Sequence, residues 1–431
     1  MIASIYNNIV EYNGNCILFN ALYMKFLFLQ KEIAQLYIEN KKNPISIREI
    51  HPDFYEALVK YGFVVSEKKD EIADAKSLIE KINSEKSSYR LILNPTLNCN
   101  FHCWYCYENH NGNTKMDANI ITRIEHLLSN ISKNSLLRNF QLSFFGGEPL
   151  LFYSEVLFPI AKYAFELFKN TDKNFYLDIT TNGYLLDINR IKELRALGLC
   201  SCQITFDGNK NHHDATRYIK KGLGSYDTII SNVKNAVKEG ISIVLRINYT
   251  EENLNGLSSI FDDLKDLSLS ERKRLTLSMN KVWQEKNNKL GEKVKGFQKQ
   301  AKSFGITLPD ALLSDRVRNS CYADKENEAV INYNGNVYKC NARNFTSGNS
   351  EGYLDESGNI IWNDLHELKK SSKMSNHKCL SCSIFPICGG GCSQISYDNR
   401  KCNYCVNDNP DIIKDMIVEM FLSENTKSID S

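Results

Sequence analysis

The chain has 431 residues, of which 42% are hydrophobic and 24% charged, and its formal net charge is +2. This length predicts two or three domains, including one large α/β unit. The near-neutral charge gives no electrostatic reason to expect a nucleic acid or an anionic membrane as a partner.

The apolar runs are too short to predict a membrane span. The most apolar of them, from Cys16 to Leu29, is interrupted by Asn20 and Lys25. The first residues also lack the basic start of a secretory signal, so we expect a cytoplasmic protein. Because the cytosol keeps thiols reduced, the 14 cysteines indicate metal binding or redox chemistry rather than disulfides.

Residues 1–88 are predicted to form a separate winged-helix-like domain. A hairpin is expected around Asn13-Gly14, the strongest short turn signal. The predicted elements are strands at 4–12 and 16–21, helices at 33–40 and 54–61, a short strand at 61–65, and a charged linker helix at Lys68–Lys86.

Residues 89–310 show short β-rich runs that alternate with helical ones, which is typical of βα units around a parallel sheet. The strands are predicted at 91–94, 140–145, 175–180, 202–206, 242–247 and 275–279. The helices are predicted at 120–129, 158–168, 188–197, 226–239 and 254–267. The fold class is therefore α/β, with a partial (β/α)6 TIM-like barrel whose chemistry lies at the carboxyl ends of the strands.

Residues 311–431 are rich in Cys, Gly and Asn. Short hairpin strands are expected at 329–333 and 337–340, on either side of Asn334-Gly335-Asn336. Little apolar material is left to build a core, so this region is expected to need metal for its stability.

The first cysteine motif is Cys99, Cys103 and Cys106, directly after the first barrel strand. A zinc site is one interpretation, and His102 or His110 would have to complete it. Three thiolates suit a [4Fe–4S] cluster better, because one iron then has no protein ligand. Such an iron could chelate the amino and carboxylate groups of S-adenosylmethionine (SAM).

This motif resembles the CxxxCxΦC signature of the radical SAM superfamily, and further segments extend the resemblance. Phe145-Gly-Gly-Glu-Pro149, Thr181-Asn-Gly183, Thr205-Phe-Asp-Gly208 and Asp214-Ala-Thr-Arg217 follow successive strands in the order of the superfamily's SAM-contacting segments. Singly, the last three could each be a simple turn. The residues that the resemblance assigns to SAM binding are Tyr105, Gly146, Gly147, Glu148, Asn182, Thr205, Asp207 and Arg217.

The C-terminal region contains eight cysteines, enough for two complete four-cysteine sites. They are Cys321, Cys340, Cys379, Cys382, Cys388, Cys392, Cys402 and Cys405. Their spacing is similar to the SPASM domain of radical SAM peptide-modifying enzymes. A double zinc ribbon is the alternative, although Cys388 and Cys392 are not spaced as a zinc knuckle.

The SPASM resemblance implies two auxiliary [4Fe–4S] clusters. Cys321, Cys340 and Cys392 would hold the first. Cys379, Cys382 and Cys388 would hold the second, with either Cys402 or Cys405 as the fourth ligand. The extra cysteine either completes the first auxiliary cluster or leaves it with an open iron. The remaining Cys16, Cys200 and Cys202 are expected to be small buried hydrophobic residues.

The resemblance also implies the reaction and the partners. An electron from a flavodoxin- or ferredoxin-type donor would allow cleavage of SAM to a 5′-deoxyadenosyl radical, which removes hydrogen from the substrate. The N-terminal domain would capture the leader of a precursor peptide through a strand edge. A thioether or carbon–carbon crosslink is then expected more than epimerisation. No catalytic acid or base is identified.

Two alternatives stay open at the level of the sequence. An anaerobic sulfatase-maturing enzyme has the same barrel and SPASM layout, but such enzymes start close to their first cysteine motif. A non-catalytic iron–sulfur electron carrier or redox sensor would keep the cysteines without needing Gly147, Glu148 or Arg217.

Overall fold

The structure, a computed structural model, describes residues 1–110, 112–220, 222–287, 289–309, 315–342, 345–398, 405 and 410–427. Contacts divide the chain into two units. One contains residues 1–85 and the described parts of 310–326 and 364–431; the other contains residues 86–309 and 327–363.

The N-terminal part of the first unit is a small antiparallel sheet followed by helices. Its elements are β1 (Ile2–Ala3), β2 (Asn7–Tyr12), β3 (Asn15–Asn20), β4 (Lys25–Leu29), α1 (Lys31–Asn40), α2 (Ile45–Ile50), α3 (Pro52–Lys60), β5 (Val64–Val65) and α4 (Glu71–Asn83). The sheet order is β2-β3-β4, and β5 pairs with β1. The predicted hairpin is confirmed, with positive φ at both Asn13 and Gly14. Strand β4 and helix α2 were not predicted.

The second unit is the barrel. Its first six strands are β6 (Ser88–Asn94), β7 (Asn139–Phe144), β8 (Asn174–Thr181), β9 (Leu199–Phe206), β12 (Ser242–Tyr249) and β13 (Leu275–Lys281), with the β10 (Tyr218–Lys220) and β11 (Leu223–Gly224) hairpin between β9 and β12. The six barrel strands are parallel neighbours in that order, which confirms the predicted strands.

The helices that connect these strands are α5 (Ala118–Ser132), α6 (Phe158–Phe168), α7 (Ile188–Ala196), α8 (Lys210–Thr216), α9 (Tyr226–Lys238), α10 (Ser259–Asp263), α11 (Leu269–Arg272) and α12 (Gly291–Phe304). Four of the five predicted helices are confirmed. The fifth, predicted at 254–267, was too long, since α10 covers only Ser259–Asp263.

Residues on each barrel strand alternate between an apolar outer face and a polar inner face. On β6, Leu91 and Leu93 belong to the core shared with the surrounding helices. Arg90 points the other way, where its Nε donates to Ser143 Oγ at 3.2 Å and a guanidinium nitrogen lies 3.8 Å from the Asp178 carboxylate. The barrel interior is therefore polar, and its packed outer layer fixes the strand ends that position the site.

The barrel sheet continues beyond its first six strands. Strand β14 (Glu328–Asn332) lies parallel to β6, and β15 (Asn336–Tyr338), β16 (Gly352–Leu354) and β17 (Ile360–Trp362) follow as antiparallel strands. The predicted hairpin at 329–333 and 337–340 corresponds to β14 and β15. It belongs to the barrel unit, because β14 extends the hydrogen-bonded ladder of β6.

The C-terminal part of the first unit is a set of mostly short helices, and it shares a core with the N-terminal sheet. The helices are α13 (Asp364–Ser372), α14 (His377–Leu380), α15 (Phe385–Cys388), α16 (Ser393–Asp398) and α17 (Pro410–Lys427). One face of the β2-β3-β4 sheet packs on α1–α3, and the other packs on α15, α17 and α4. The helix predicted as a linker is α4, and one of its sides is therefore buried in this core. No helix among the described residues combines the length and the apolar character that crossing a membrane requires.

Asn20 at the end of β3 holds the N-terminal fold together. Its side chain is fully buried; its Nδ2 donates to Ser4, Asn7 and Gly62, and its Oδ1 accepts from two backbone N–H groups. We expect Asn20→Ala to lower the free energy of unfolding of this unit by about 3 kcal/mol, because buried partners lose their hydrogen bonds. Denaturant unfolding would measure the change. Asn15→Ala in the same strand should be nearly neutral, and equal effects at both positions would contradict this interpretation.

Candidate iron–sulfur and cofactor site

The thiols of Cys99, Cys103 and Cys106 lie on the loop that follows β6, at the carboxyl edge of the barrel. Burial raises the pKa of Cys99 to about 12 and also raises the pKa values of Cys103 and Cys106. A thiolate at Cys103 would raise the pKa of Cys99 further, and a thiolate at Cys106 would raise that of Cys103. A bound metal would have to displace the thiol protons, since metals bind thiolates.

His110 contacts both the last cysteine of the first motif and the backbone just before the first one. Its Nε2 lies 3.3 Å from Cys106 Sγ, and its Nδ1 lies 2.6 Å from the carbonyl oxygen of Leu97. The carbonyl contact requires a proton on Nδ1, which leaves Nε2 as an acceptor for the Cys106 thiol. Within the described parts of the chain, no three Cys, His, Asp or Glu side chains are close enough together to hold one metal ion.

The loop after β7 lies against the cysteine loop, and two glycines allow this contact. Glu148 N donates to Asn98 O at 2.8 Å, and Gly147 N donates to the Glu108 carboxylate at 2.6 Å. A Cβ at Gly147 would lie 2.1 Å from Asn98 O, and the φ of Gly147 is +48°. Only glycine fits this position without movement of the backbone.

The carboxylate of Glu148 is fully buried and ties together two strand-end loops. It accepts hydrogen bonds from Thr181 Oγ1 at 2.8 Å, Asn182 N at 2.8 Å and Leu150 N at 3.0 Å. Burial raises its pKa, and these donors oppose the shift. The Asn182 side chain in turn donates to Asn100 Oδ1 at 2.7 Å and lies 3.8 Å from Cys99 Sγ.

The Tyr105 hydroxyl is a junction between the cysteine loop and three other segments. It donates to Asp207 Oδ2 at 2.6 Å, and it accepts from Arg217 Nη1 at 3.0 Å and from Asn248 Nδ2 at 3.2 Å. Burial raises the pKa of Asp207, whereas Arg217 and Tyr105 oppose the shift. The pKa of Tyr105 is raised, chiefly by burial, so the phenol stays protonated and can donate.

Two atoms of this network are buried without a hydrogen-bond partner among the described residues. They are Asp207 Oδ1 and Arg217 Nε. The Arg217 guanidinium lies 5.4 Å above the Phe101 ring. Thr205, also predicted to contact the cofactor, is nearly buried in β9, two residues before Asp207. Tyr105, Asp207 and Arg217 are thus brought into one network.

Two residues of β12 were missed in the sequence. Asn248 bonds to Tyr105, and Arg246 Nε donates to Asn248 Oδ1 at 3.0 Å. Burial lowers the pKa of Arg246, and the neighbouring Arg217 acts in the same direction. Strand alternation was the available signal, because both belong to the inner face of β12, although the strand predicted at 242–247 ends one residue before Asn248.

Four C-terminal thiols are neighbours within the first unit. The charges of Cys382, Cys388 and Cys405 all act on Cys379, and burial raises its pKa to about 11. Cys382 and Cys405 also act on Cys388. This grouping contains three of the ligands expected for the second auxiliary cluster, together with Cys405, one of the two candidates for the fourth. Cys402 lies outside the described residues.

The other predicted cysteines are distributed over both units. Cys321 and Cys392 lie in the first unit and Cys340 in the second. Cys16 and Cys202 are buried as expected, but Cys200 is exposed, so its expected burial was wrong. The ladder between β8 and β9 pairs Leu177 with Leu199 and Asp178 with Ser201, so Cys200 is the extra residue of a bulge that interrupts the alternation.

Comparisons with known proteins agree with this geometry. Residues 93–264 match the model of the Radical SAM superfamily. Fe-coproporphyrin III synthase of Methanosarcina barkeri is 29% identical over 182 residues, 41% of each chain, so the match spans less than half of that relative. A cysteine-type anaerobic sulfatase-maturating enzyme of Clostridium novyi is 26% identical over 78% of this chain and 95% of its own.

Among solved structures, the Streptococcus suis protein SuiB bound to precursor peptide SuiA has a TM-score of 0.53 and 16% identity, and covers 91% of this chain and 95% of its own. Residues 93–264 are therefore similar to the radical SAM superfamily, a class of SAM-cleaving enzymes. At 16% identity, the likeness to SuiB concerns the fold.

The residues present fit the cofactors that this class implies, namely SAM and a [4Fe–4S] cluster. Cys99, Cys103 and Cys106 match in number the three protein ligands of a cluster with one open iron. The unpartnered Arg217 Nε and Asp207 Oδ1 offer a donor and an acceptor beside these thiols. The loop crossing at Gly147 leaves no space for a side chain where the two loops meet.

The Tyr105 hydroxyl is expected to organise SAM binding. In Tyr105→Phe, Asp207, Arg217 and Asn248 lose their common partner, so we expect the Kd for SAM to rise about tenfold, or about 1.4 kcal/mol. Anaerobic equilibrium binding of SAM to wild-type and variant protein with the same iron content would measure this Kd. Tyr176→Phe, at an exposed tyrosine of β8, is the control. Unchanged affinity in Tyr105→Phe would refute the assignment.

Gly147→Ala is expected to prevent assembly of the first cluster, because its Cβ would meet the Asn98 carbonyl oxygen. Iron content and visible absorbance after reconstitution would report the loss. Gly14→Ala is the matched control, since Gly14 also has positive φ but a Cβ added there would have no atom within 4 Å. The Gly14→Ala variant should lose only about 1 kcal/mol of folding stability through conformational strain, and it should keep its full iron content. Normal iron content in Gly147→Ala would contradict the close contact.

Cys405→Ala is expected to remove one auxiliary cluster, about four iron atoms per chain, because it deletes the fourth thiol of the group around Cys379. Iron analysis and electron paramagnetic resonance would detect the loss. Cys200→Ala, at an exposed thiol outside the motifs, should retain all iron. If Cys402→Ala removes that signal and Cys405→Ala does not, the assignment is reversed.

Proposed function

We propose that this protein modifies a ribosomally made precursor peptide and forms a thioether or carbon–carbon crosslink. The observation that carries the proposal is the N-terminal domain, a three-stranded sheet with three helices, in a chain that also has a radical SAM site. Such a domain is not needed to cleave SAM, whereas it suits the capture of a peptide segment outside the reaction site.

Strand β4 is the edge that we propose for the leader of the precursor peptide. Among the described residues β4 pairs only with β3, so its outer side is available for β-augmentation. Phe28 on this strand is 50% exposed although it is aromatic. A peptide that added a strand here would gain backbone hydrogen bonds and contact with this ring.

The extent of the structural likeness supports the same view. SuiB, whose structure contains a precursor peptide, covers 91% of this chain. The uncovered tenth is shorter than residues 1–85, so the shared fold includes at least part of the N-terminal segment. The match to the sulfatase-maturating enzyme covers 78% of this chain.

The proposed cofactors are SAM and three [4Fe–4S] clusters, one at Cys99, Cys103 and Cys106 and two in the C-terminal region. When bound, SAM and the first cluster would supply a 5′-deoxyadenosyl radical by one-electron cleavage of the sulfonium. The protein itself would position SAM and the substrate and would exclude water from the site. Arg217 would hold the SAM carboxylate, and Tyr105 keeps that guanidinium in place.

The auxiliary clusters would take back the electron that the substrate radical releases when it closes a new bond. For the second auxiliary cluster, the grouping of Cys379, Cys382, Cys388 and Cys405 supports a four-thiolate site. A flavodoxin- or ferredoxin-type protein is the proposed donor for the first cluster.

A sulfatase-maturating activity is the second candidate, and it is favoured by the relative from Clostridium novyi, which matches over 95% of its own length. It predicts a different product. A crosslink removes two hydrogens from the peptide, whereas conversion of cysteine to formylglycine also exchanges sulfur for oxygen.

Co-expression with short peptides encoded beside this gene tests the proposal. We expect one of them to lose two hydrogens per crosslink by mass spectrometry, and the loss to disappear in the Cys103→Ala variant, because that variant lacks a ligand of the first cluster. A sulfatase-derived cysteine peptide is the parallel substrate. If only that peptide reacts and gives formylglycine, the crosslinking proposal fails.

Phe28→Lys is expected to weaken binding of the leader peptide about tenfold, since it places a charge on the proposed edge strand and removes an exposed ring. Fluorescence anisotropy with a labelled leader would measure the affinity. Ile50→Lys changes another exposed apolar residue of the same domain, 63% exposed on α2, and should bind as the unmodified protein does. Equal weakening in both variants would show that β4 is not the binding edge.

A further inference from the structure

The N-terminal domain makes direct contact with the cysteine loop of the C-terminal region, within the first unit. The Tyr6 hydroxyl donates to Leu380 O at 3.4 Å. Asn8 Nδ2 donates to Ser383 O at 3.2 Å, and Ser383 Oγ donates to Asn8 Oδ1 at 2.6 Å. Leu380 follows Cys379 and Ser383 follows Cys382, so these bonds act on backbone next to two proposed cluster ligands.

Apolar packing holds the same loop from the side of the sheet. Ile384 and Ile387, which lie between Cys382 and Cys388, are buried in one cluster with Ile17 and Phe19 of β3. Helices α14 and α15 have four residues each and cannot build a core of their own. The loop therefore obtains much of its order from the N-terminal sheet.

We propose that Tyr6 and Asn8 are positioning residues of the second auxiliary cluster, so that the N-terminal domain forms one wall of that cluster's site. The proposal rests on the cluster assignment made under the proposed function. Hydrogen bonds around the sulfurs, backbone orientation and solvent access set the potential of an iron–sulfur cluster. By fixing the peptide groups of Leu380 and Ser383, the N-terminal domain sets these conditions.

The contacts are specific to a few side chains, which makes a matched comparison possible. Asn7 and Tyr37 belong to the same domain and bond to each other at 2.7 Å, and Asn7 also donates to Phe63 O. Neither side chain makes a described contact with the cysteine loop. Asn7→Ala and Tyr37→Phe therefore remove hydrogen bonds of the domain but none of the described contacts to the loop.

The experiment is a redox titration of the full-length, reconstituted protein, followed by electron paramagnetic resonance. In Asn8→Ala and Tyr6→Phe we expect the midpoint potential of one auxiliary cluster to shift, so that its ratio of reduced to oxidised form at a fixed potential changes about threefold or more. The signal of the first cluster in the presence of SAM should not change. Ser383→Ala should reproduce the Asn8→Ala shift, and the double variant should add little to it.

Several outcomes decide the matter. Loss of iron from one auxiliary cluster alone in Asn8→Ala would support the proposal, as would a shift confined to that cluster. Wild-type midpoints and spectra in Asn8→Ala, Tyr6→Phe and Ser383→Ala would overturn it, and so would equal shifts in Asn7→Ala and Tyr37→Phe. If Asn8→Ala fails to fold, Tyr6→Phe decides, because it keeps the buried ring and removes only the hydroxyl.

This test is independent of peptide modification. A selective shift in potential would stand even if no precursor peptide reacted with the protein. Conversely, crosslinked product together with unshifted potentials would support the proposed function and reject the positioning role of Tyr6 and Asn8.

Discussion

The Tyr105 hydroxyl connects parts of the chain that are far apart in sequence, and the candidate site depends on it. It holds Asp207 after β9, Arg217 after α8 and Asn248 on β12 beside the cysteine loop. Because these groups are buried, each would be costly without its partner. Glu148 plays the corresponding part on the other side of the loop, where it joins the ends of β7 and β8.

Most of the barrel and of this site could be predicted, because short-range patterns determine them. Each barrel strand contains an apolar run, β7, β8 and β9 are each followed by a segment with glycine, and the carboxyl ends of parallel strands meet at one edge. The sequence alone therefore places Tyr105, Glu148 and Arg217 at the same edge. It could not predict which of them bond to one another, since these contacts join residues up to 143 positions apart.

The failures have equally physical causes. Strand β4 lacks turn signals at its ends and is separated from β3 by only four residues, so its pattern merged with that of β3. The exposure of Cys200 arises from a bulge, which shifts the alternation by one residue and leaves no signature in composition. Arg246 lies within the strand predicted at 242–247 and Asn248 directly after it, but an inner-face residue acquires its role from neighbours on other strands.

The shared core between the β2-β3-β4 sheet and the C-terminal helices has a consequence for protein engineering. Exchanging the N-terminal segment for that of another maturase would leave Ile384, Ile387 and Met420 facing a foreign surface. A functional chimaera would have to carry over its matching C-terminal helices as well. In evolution, the N-terminal sheet and the C-terminal helices are therefore expected to be inherited together, even though most of the barrel lies between them in the sequence.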